Sequence, residues 1–214
     1  MSGRLSVDIQ SQIERGVSIL RQGGIVAFPT DTVYGLGVCI SVHWAVERIY
    51  EVKERPLNMA LPLLLADTSQ IAGVAEQVPP LAWLLINNFL PGALTLVLRK
   101  SGSVPDIVTA GGTTVAVRIP AHPVPVALIL GVGTPIVGTS ANVSGRPSPL
   151  TADGVRSQFG DRIDFIVDGG RCPGGRESTV VDVTGETPVI LREGAISVEE
   201  LRQVCESIAL KEGD

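Results

Sequence analysis

The sequence predicts an α/β domain, a mixed sheet with helices on its faces. Short apolar runs of strand length alternate along the chain with segments of helical period, the order that lays helices across a sheet. Thr184-Gly185-Glu186-Thr187 lies between two apolar runs as a hairpin signal, which puts an antiparallel pair into the sheet and makes a purely parallel one less fitting. No composition break, linker or internal repeat divides the 214 residues, so one domain over 1–214 is expected. That length is enough to bury a substantial core.

Ser6 stands where it can cap a first helix whose Ile9, Ile13, Val17 and Leu20 share a face, and Gly23-Gly24 ends it. Ile25-Val26-Ala27-Phe28 reads as a short buried strand broken by Pro29. Thr30-Asp31-Thr32 is a polar turn before a second strand-like run over 33–40. Ser41 is expected to cap a second helix carrying Val42, Val46, Ile49 and Val52, which runs out into Lys53 and Arg55. Residues 61–66 are a continuous apolar run of strand length. A helix over 80–90 stops at Pro91-Gly92, and strands follow over 94–98 and 114–119 with a glycine-rich loop between them. Pro123 suits the first turn of a helix over 123–130. The apolar strand 136–139 opens directly into Ser140-Ala141-Asn142. A short helix over 151–159 and a strand over 165–167 precede the hairpin strands 179–183 and 189–191. An amphipathic helix over 197–208 closes the chain, with Ser197 and Glu200 in capping-box position.

Composition narrows the function. With 44% hydrophobic and 18% charged residues the chain is folded rather than disordered. Aromatics at 4% leave little for a stacking surface on single-stranded nucleic acid, and a net charge of -5 argues against a generic duplex binder. Of 17 cationic residues only Lys53, Lys100 and Lys211 are lysine. The excess of arginine suits carboxylates and phosphates, though a GC-rich coding bias gives the same excess. Cys39, Cys172, Cys205, His43 and His122 are scattered without metal-ligand spacing, so no metal site is expected. Few, odd cysteines fit a reducing compartment, and the first twelve residues lack the apolar core of a signal peptide. The longest apolar stretches, 79–98 and 124–137, are interrupted by Asn-Asn, Pro-Gly or Gly-x-Gly and read as core rather than membrane spans. A cytoplasmic protein without a membrane partner is the expectation.

Two polar clusters stand out. Ser140-Ala141-Asn142-Val143-Ser144-Gly145-Arg146-Pro147-Ser148 follows a buried strand, the way α/β proteins deliver hydrogen-bond donors to a phosphate. The same residues also stabilise ordinary turns. Lys53 and Arg55 stand where helix gives way to loop, with Pro56 turning Arg55 away from helical geometry. They read either as a cationic clamp for nucleotide phosphates or as a solvated helix C-terminus, where cations are favoured anyway. Arg118 and Arg192 end apolar strands, where each needs an anion, from the protein or from a ligand. Gly169-Gly170-Arg171-Cys172-Pro173-Gly174-Gly175-Arg176 lacks the ending of a phosphate loop and is expected to be a flexible flap or a plain surface loop.

Six ordered motifs carry a resemblance. They are Pro29-Thr30-Asp31-Thr32-Val33-Tyr34-Gly35-Leu36-Gly37, Lys53-Glu54-Arg55-Pro56, Pro91-Gly92-Ala93-Leu94-Thr95, Val115-Ala116-Val117-Arg118-Ile119-Pro120, Ser140-Ala141-Asn142 and Glu177-Ser178-Thr179-Val180-Val181-Asp182. In this order, over about 23–201, the chain resembles the YrdC family of threonylcarbamoyl-AMP synthases. The resemblance implies a three-layer fold with a twisted mixed sheet and a large concave cleft. It also implies a cytoplasmic nucleotidyltransferase that converts L-threonine, bicarbonate and ATP, with Mg2+, to threonylcarbamoyl-AMP and pyrophosphate. That product serves threonylcarbamoyladenosine formation in tRNA, so the tRNA threonylcarbamoyl-transfer machinery is the implied partner.

Carried over by position, Thr32, Arg118, Ser178 and the backbone at Gly138 would hold threonine. Lys53, Arg55, Thr114, Ser140, Asn142, Ser148 and Arg192 would surround ATP, with Lys53 and Arg55 in the catalytic part. Many relatives place His a few residues after the Arg-Pro pair, as a threonine contact. Here Leu64 stands at about that position, so the amino-acid pocket is expected to differ. The chain resembles the short form without a further C-terminal domain. Two other readings stay open: a module that binds tRNA or structured RNA in the same cleft, and a carbamoyl-adenylate transfer domain of hydrogenase-maturation type.

Overall fold

The computed structural model describes residues 6–211, so the first five and last three residues of the expected 1–214 span, including part of the N-terminal stretch read for a signal peptide, lie outside the described residues. In chain order the elements are α1 (Val7–Arg21), β1 (Val26–Phe28), β2 (Gly35–Cys39), α2 (His43–Lys53), β3 (Leu63–Leu64), α3 (Ile71–Val74) and α4 (Pro80–Phe89). Next come β4 (Leu94–Arg99), β5 (Thr114–Arg118), α5 (Pro123–Val132), β6 (Ile136–Ser140), α6 (Ala152–Phe159) and β7 (Phe165–Ile166). β8 (Thr179–Asp182), β9 (Val189–Arg192), α7 (Val198–Val204) and β10 (Ala209–Leu210) are the last elements among the described residues. All ten strands join one sheet, in the order β10-β9-β8-β4-β5-β3-β6-β2-β1-β7. The sheet is mixed, as expected. β4 pairs β8 in parallel, β8 and β9 form the antiparallel hairpin, and β2 lies antiparallel to β6.

Caps and stops follow local chemistry. The Ser6 side chain accepts from the Ile9 amide at the start of α1, and Ser197 with Glu200 closes a capping box on α7. α2 departs from expectation: Val42 occupies its N-cap without a side-chain bond, and the Ser41 hydroxyl lies 3.0 Å from the Cys39 thiol instead. The apolar run 61–66 supplies only two strand residues. Its flanks pair with loops and strand ends, Leu61 N–H donating to Val108 O and Leu65 N–H to Arg118 O. α7 ends at Val204, and β10 then pairs with β9 in parallel, an edge the apolar pattern of 197–208 had concealed.

Strand register sorts side chains between two faces. One face buries Leu36, Val38, Leu63, Leu94, Leu96, Leu98, Val115, Val117 and Val137 in the larger core. On the other face, Val26, Phe28, Leu64 and Ile136 pack with Leu20 of α1 and Leu128 and Ile129 of α5. Helices therefore lie on both faces. The α1–α5 side is shared with the polar hollow described next. Among the described residues no helix is long and apolar enough to cross a membrane.

Candidate active site

On the face that α1 and α5 partly cover, the register carries on through Thr95, Ala116, Arg118, Gly138, Ser140, Val180 and Arg192. All seven line one hollow of about 240 Å³, with Thr30, Thr32, Leu64, Arg55, Glu177 and Ser178 around them. Residues from opposite ends of the chain meet here because the sheet order sets β4, β5, β3 and β6 side by side.

The β6 end is held from α2. That helix stops at Lys53, with Glu54 in the left-handed region at φ 52. Lys53 is only 2% exposed, and its ammonium donates to the carbonyls of Ser140 and of Asn142, the latter at 2.6 Å. The solvated-terminus reading is thereby overturned. Burial pulls the Lys53 pKa down to about 7; nearby Arg55 adds to the effect and Glu177 opposes it. The loop beyond carries a hydroxyl-amide chain. Ser140 Oγ donates to Asn142 Oδ1 at 2.5 Å, and Ser148 Oγ lies 3.3 Å from the same oxygen and donates to Glu177 Oε1 at 2.5 Å.

The β5 end is held by ion pairing. Arg118 donates to Asp31 Oδ1 at 2.8 Å, to Thr32 Oγ1 at 3.0 Å and to Gly92 O at 2.9 Å. An internal carboxylate is thus its partner, and the guanidinium still faces the hollow. Arg192 donates to Ser178 O at 2.8 Å, and the Ser178 hydroxyl lies 2.8 Å from Thr95 Oγ1. Arg55 donates to the carbonyls of Met59 and Ala60. Burial lowers the pKa of Arg55 and of Arg118, and Arg192 adds to both shifts by repulsion. Three crowded guanidinium groups in one hollow favour an anionic ligand.

Of the residues singled out from sequence, Thr32, Arg55, Arg118, Gly138, Ser140, Ser178 and Arg192 line the hollow together. Lys53, Asn142 and Ser148 stand just behind it, joined to Ser140 or Glu177 by hydrogen bonds. Thr114 shares the face of Ala116 and Arg118 but does not line the hollow. Leu64 projects beside Gly138, where an added Cβ would overlap its side chain. The glycine-rich segment is tied to the site's turn, contrary to a flexible flap. Gly175 N–H donates to Thr32 O at 2.9 Å, the Tyr34 hydroxyl to Gly170 O at 2.9 Å, and the Thr30 amide to Cys172 Sγ at 3.4 Å. Cys172 is buried with its thiol pKa raised, which suits packing rather than nucleophilic attack. His122 caps α5 through Nδ1.

Sequence reading missed Asp31, Thr30, Thr95 and Glu177. A hint existed for Asp31, a carboxylate between two threonines, but its pairing with Arg118 spans 87 residues. Among the described residues no group of three or more His, Cys, Asp or Glu could hold a metal ion, and Glu177 is the carboxylate that lines the hollow.

Fold and hollow together define an α/β protein with an arginine-lined hollow whose charge suits an anionic ligand. The chain belongs to the Sua5, YciO and YrdC family, whose model, described as telomere recombination, matches residues 18–194. It is 42% identical over 209 residues to the threonylcarbamoyl-AMP synthase of Pyrococcus abyssi, covering 95% of this chain and 62% of that protein. To the threonylcarbamoyl-AMP synthase of Bacillus subtilis it is 44% identical over 203 residues, covering 94% and 59%. The crystal structure of P. abyssi Sua5 complexed with L-threonine superposes with a TM-score of 0.92 at 42% identity, over 97% of this chain and 60% of that one. This chain thus spans about three fifths of the length of these relatives.

Proposed function

We propose that this domain is a threonylcarbamoyl-AMP synthase, joining L-threonine, bicarbonate and ATP and releasing pyrophosphate. The observation that carries the reading is the gathering of Arg55, Arg118 and Arg192 into one hollow beside the Ser140–Asn142 loop. The relatives named above add the reaction and the amino acid.

In this reading the threonine carboxylate meets Arg118, with Thr32, Ser178 and the Gly138 backbone around it. The nucleotide lies toward Arg55, Arg192, Ser140, Asn142 and Ser148, with Thr114 further along the same sheet face. Threonine's ammonium loses a proton, and the free amine condenses with bicarbonate to a carbamate with release of water. A carbamate oxygen then attacks the α-phosphorus in line, and the bond to pyrophosphate breaks. Such a displacement asks for positioning and neutralisation of charge more than for a protein nucleophile. Arg55 supplies charge directly. Lys53 acts through the carbonyls of Ser140 and Asn142, which fixes the loop that meets the nucleotide. Mg2+ enters in this reading as the companion of the nucleotide's phosphates, held by the phosphates themselves as is usual for that ion. The product is an activated carbamate destined for transfer to tRNA, and a cytoplasmic setting follows from those substrates.

The test is incubation with ATP, Mg2+, bicarbonate and L-threonine. Pyrophosphate release that needs both bicarbonate and threonine supports the reading. Folded protein that releases none overturns it.

A further inference from the structure

Glu177 has no part in the reaction as described, yet it lines a hollow that must receive a triphosphate and a carboxylate. An anionic side chain there opposes both ligands unless it has a cation of its own to receive. The neighbouring cations do not hydrogen-bond to it: the Lys53 ammonium, whose charge it favours through space, donates to the Ser140 and Asn142 carbonyls instead, and the arginines are engaged elsewhere. Arg55 donates to the Met59 and Ala60 carbonyls, Arg118 to Asp31, Thr32 and Gly92, and Arg192 to Ser178. Glu177 accepts instead from the Ser148 hydroxyl at 2.5 Å. An ionised carboxylate has about four acceptor positions, so most of its capacity is left for a ligand. Asp31, by contrast, is spent on Arg118 and the Ala121 amide.

Its place between the two halves of the site identifies that ligand. Through Ser148 it joins the chain of bonds to Asn142 and Ser140 on the nucleotide side. Along the backbone it immediately precedes Ser178, on the amino-acid side. With the carboxylate of an amino acid at Arg118, the amine is the group that has to face the nucleotide, because its carbamate makes the attack. We propose that Glu177 receives the ammonium of the amino-acid substrate and so selects an α-amino acid over its α-hydroxy counterpart. The assignment rests on the amino-acid-plus-nucleotide reading of the hollow. It also gives direction to the reaction, since a carbamate is an anion and is driven off the carboxylate toward the arginines.

The experiment is calorimetric binding to the full chain of L-threonine, ATP and 2,3-dihydroxybutanoate, which replaces the ammonium of threonine with a hydroxyl. The natural protein is compared with Glu177→Gln, which keeps the side chain's shape and an acceptor for Ser148, and with Glu177→Asp. The natural protein is expected to prefer threonine by about 10- to 100-fold, the worth of a charge-assisted bond. Glu177→Gln should lose that preference by weakening threonine alone, and Glu177→Asp should keep part of it. Threonine binding untouched in Glu177→Gln overturns the assignment and leaves the adenylate reading standing. So does tighter ATP with unchanged threonine, which would make Glu177 a place-holder for phosphate. Equal binding of the two acids by the natural protein overturns it without any variant. A natural protein that binds ATP but no threonine brings down the amino-acid reading together with it.

Discussion

The Lys53 ammonium donates to the Asn142 carbonyl at 2.6 Å across 89 positions of chain, joining the end of α2 to the loop after β6. Lys53→Met keeps much of the side chain's bulk but takes the charged donor from the buried Asn142 carbonyl and from the Ser140 carbonyl, which retains the Asn142 amide. A hydrogen bond to a charged group is worth about 1.5–3 kcal/mol, so stability should fall by about 2 kcal/mol in urea unfolding. Pyrophosphate release should fall at least as far as in Arg55→Ala. Full turnover in Lys53→Met would remove the loop from the account.

The depressed Lys53 pKa sets a pH dependence with a definite sign. The folded group titrates near 7, whereas lysine's ordinary value is 10.5. Between those values the unfolded chain holds a proton the folded chain has lost, so this group's contribution makes the protein more stable as pH climbs from about 7 toward 10.5. A bound triphosphate favours the charged amine and raises its pKa. ATP binding near pH 8 should therefore take up protons, seen as binding heats that scale with the ionisation enthalpy of the buffer. Affinity should weaken as pH rises above about 7. Lys53→Met should abolish the proton uptake.

Arg118 has two jobs, and a double substitution separates them. Arg118→Ala strands the Asp31 carboxylate, and breaking a buried pair costs about 3–5 kcal/mol. Asp31→Asn in the same protein should recover part of that loss in denaturant unfolding. Threonine binding should stay lost in both. Recovery of binding in the double variant would mean that Arg118 only neutralises Asp31.

Gly138 allows the strand to pass Leu64 closely. An added Cβ overlaps the Leu64 side chain, which is itself packed with the α1 and α5 cluster. Gly138→Ala should cost about 1–3 kcal/mol, the range for overpacking. KM for threonine should rise more than KM for ATP. With Leu64→Ala added, the combined loss of stability should be smaller than the sum of the two single losses.

Much of this was legible from sequence where the signal was local. The capping box at Ser197, the hairpin of β8 and β9, and the strand running into Ser140 depend on neighbours a few residues apart. Ser140 and Arg55, each of which read as either a ligand contact or an ordinary turn or helix end, line the same hollow. What stayed hidden was set by strand order. Asp31 meets Arg118, and Ser148 meets Glu177, because the sheet brings separate strand ends together, and no spacing along the chain records that. Lys53 read equally as a surface cation, since burial of an amine shows only when its carbonyl partners are in place. Residues 61–66 looked like a full strand because burial makes loops apolar too.

Carbon from bicarbonate should end up bonded to threonine's nitrogen and, through oxygen, to the phosphorus of AMP. Mass spectrometry of a reaction run with 13C-bicarbonate, ATP, Mg2+ and L-threonine tests this directly. The account predicts a threonylcarbamoyl-AMP adduct carrying the label, made by the natural protein and lost in Arg55→Ala. Nucleotide products without label, or an equally abundant labelled adduct in Arg55→Ala, would contradict it.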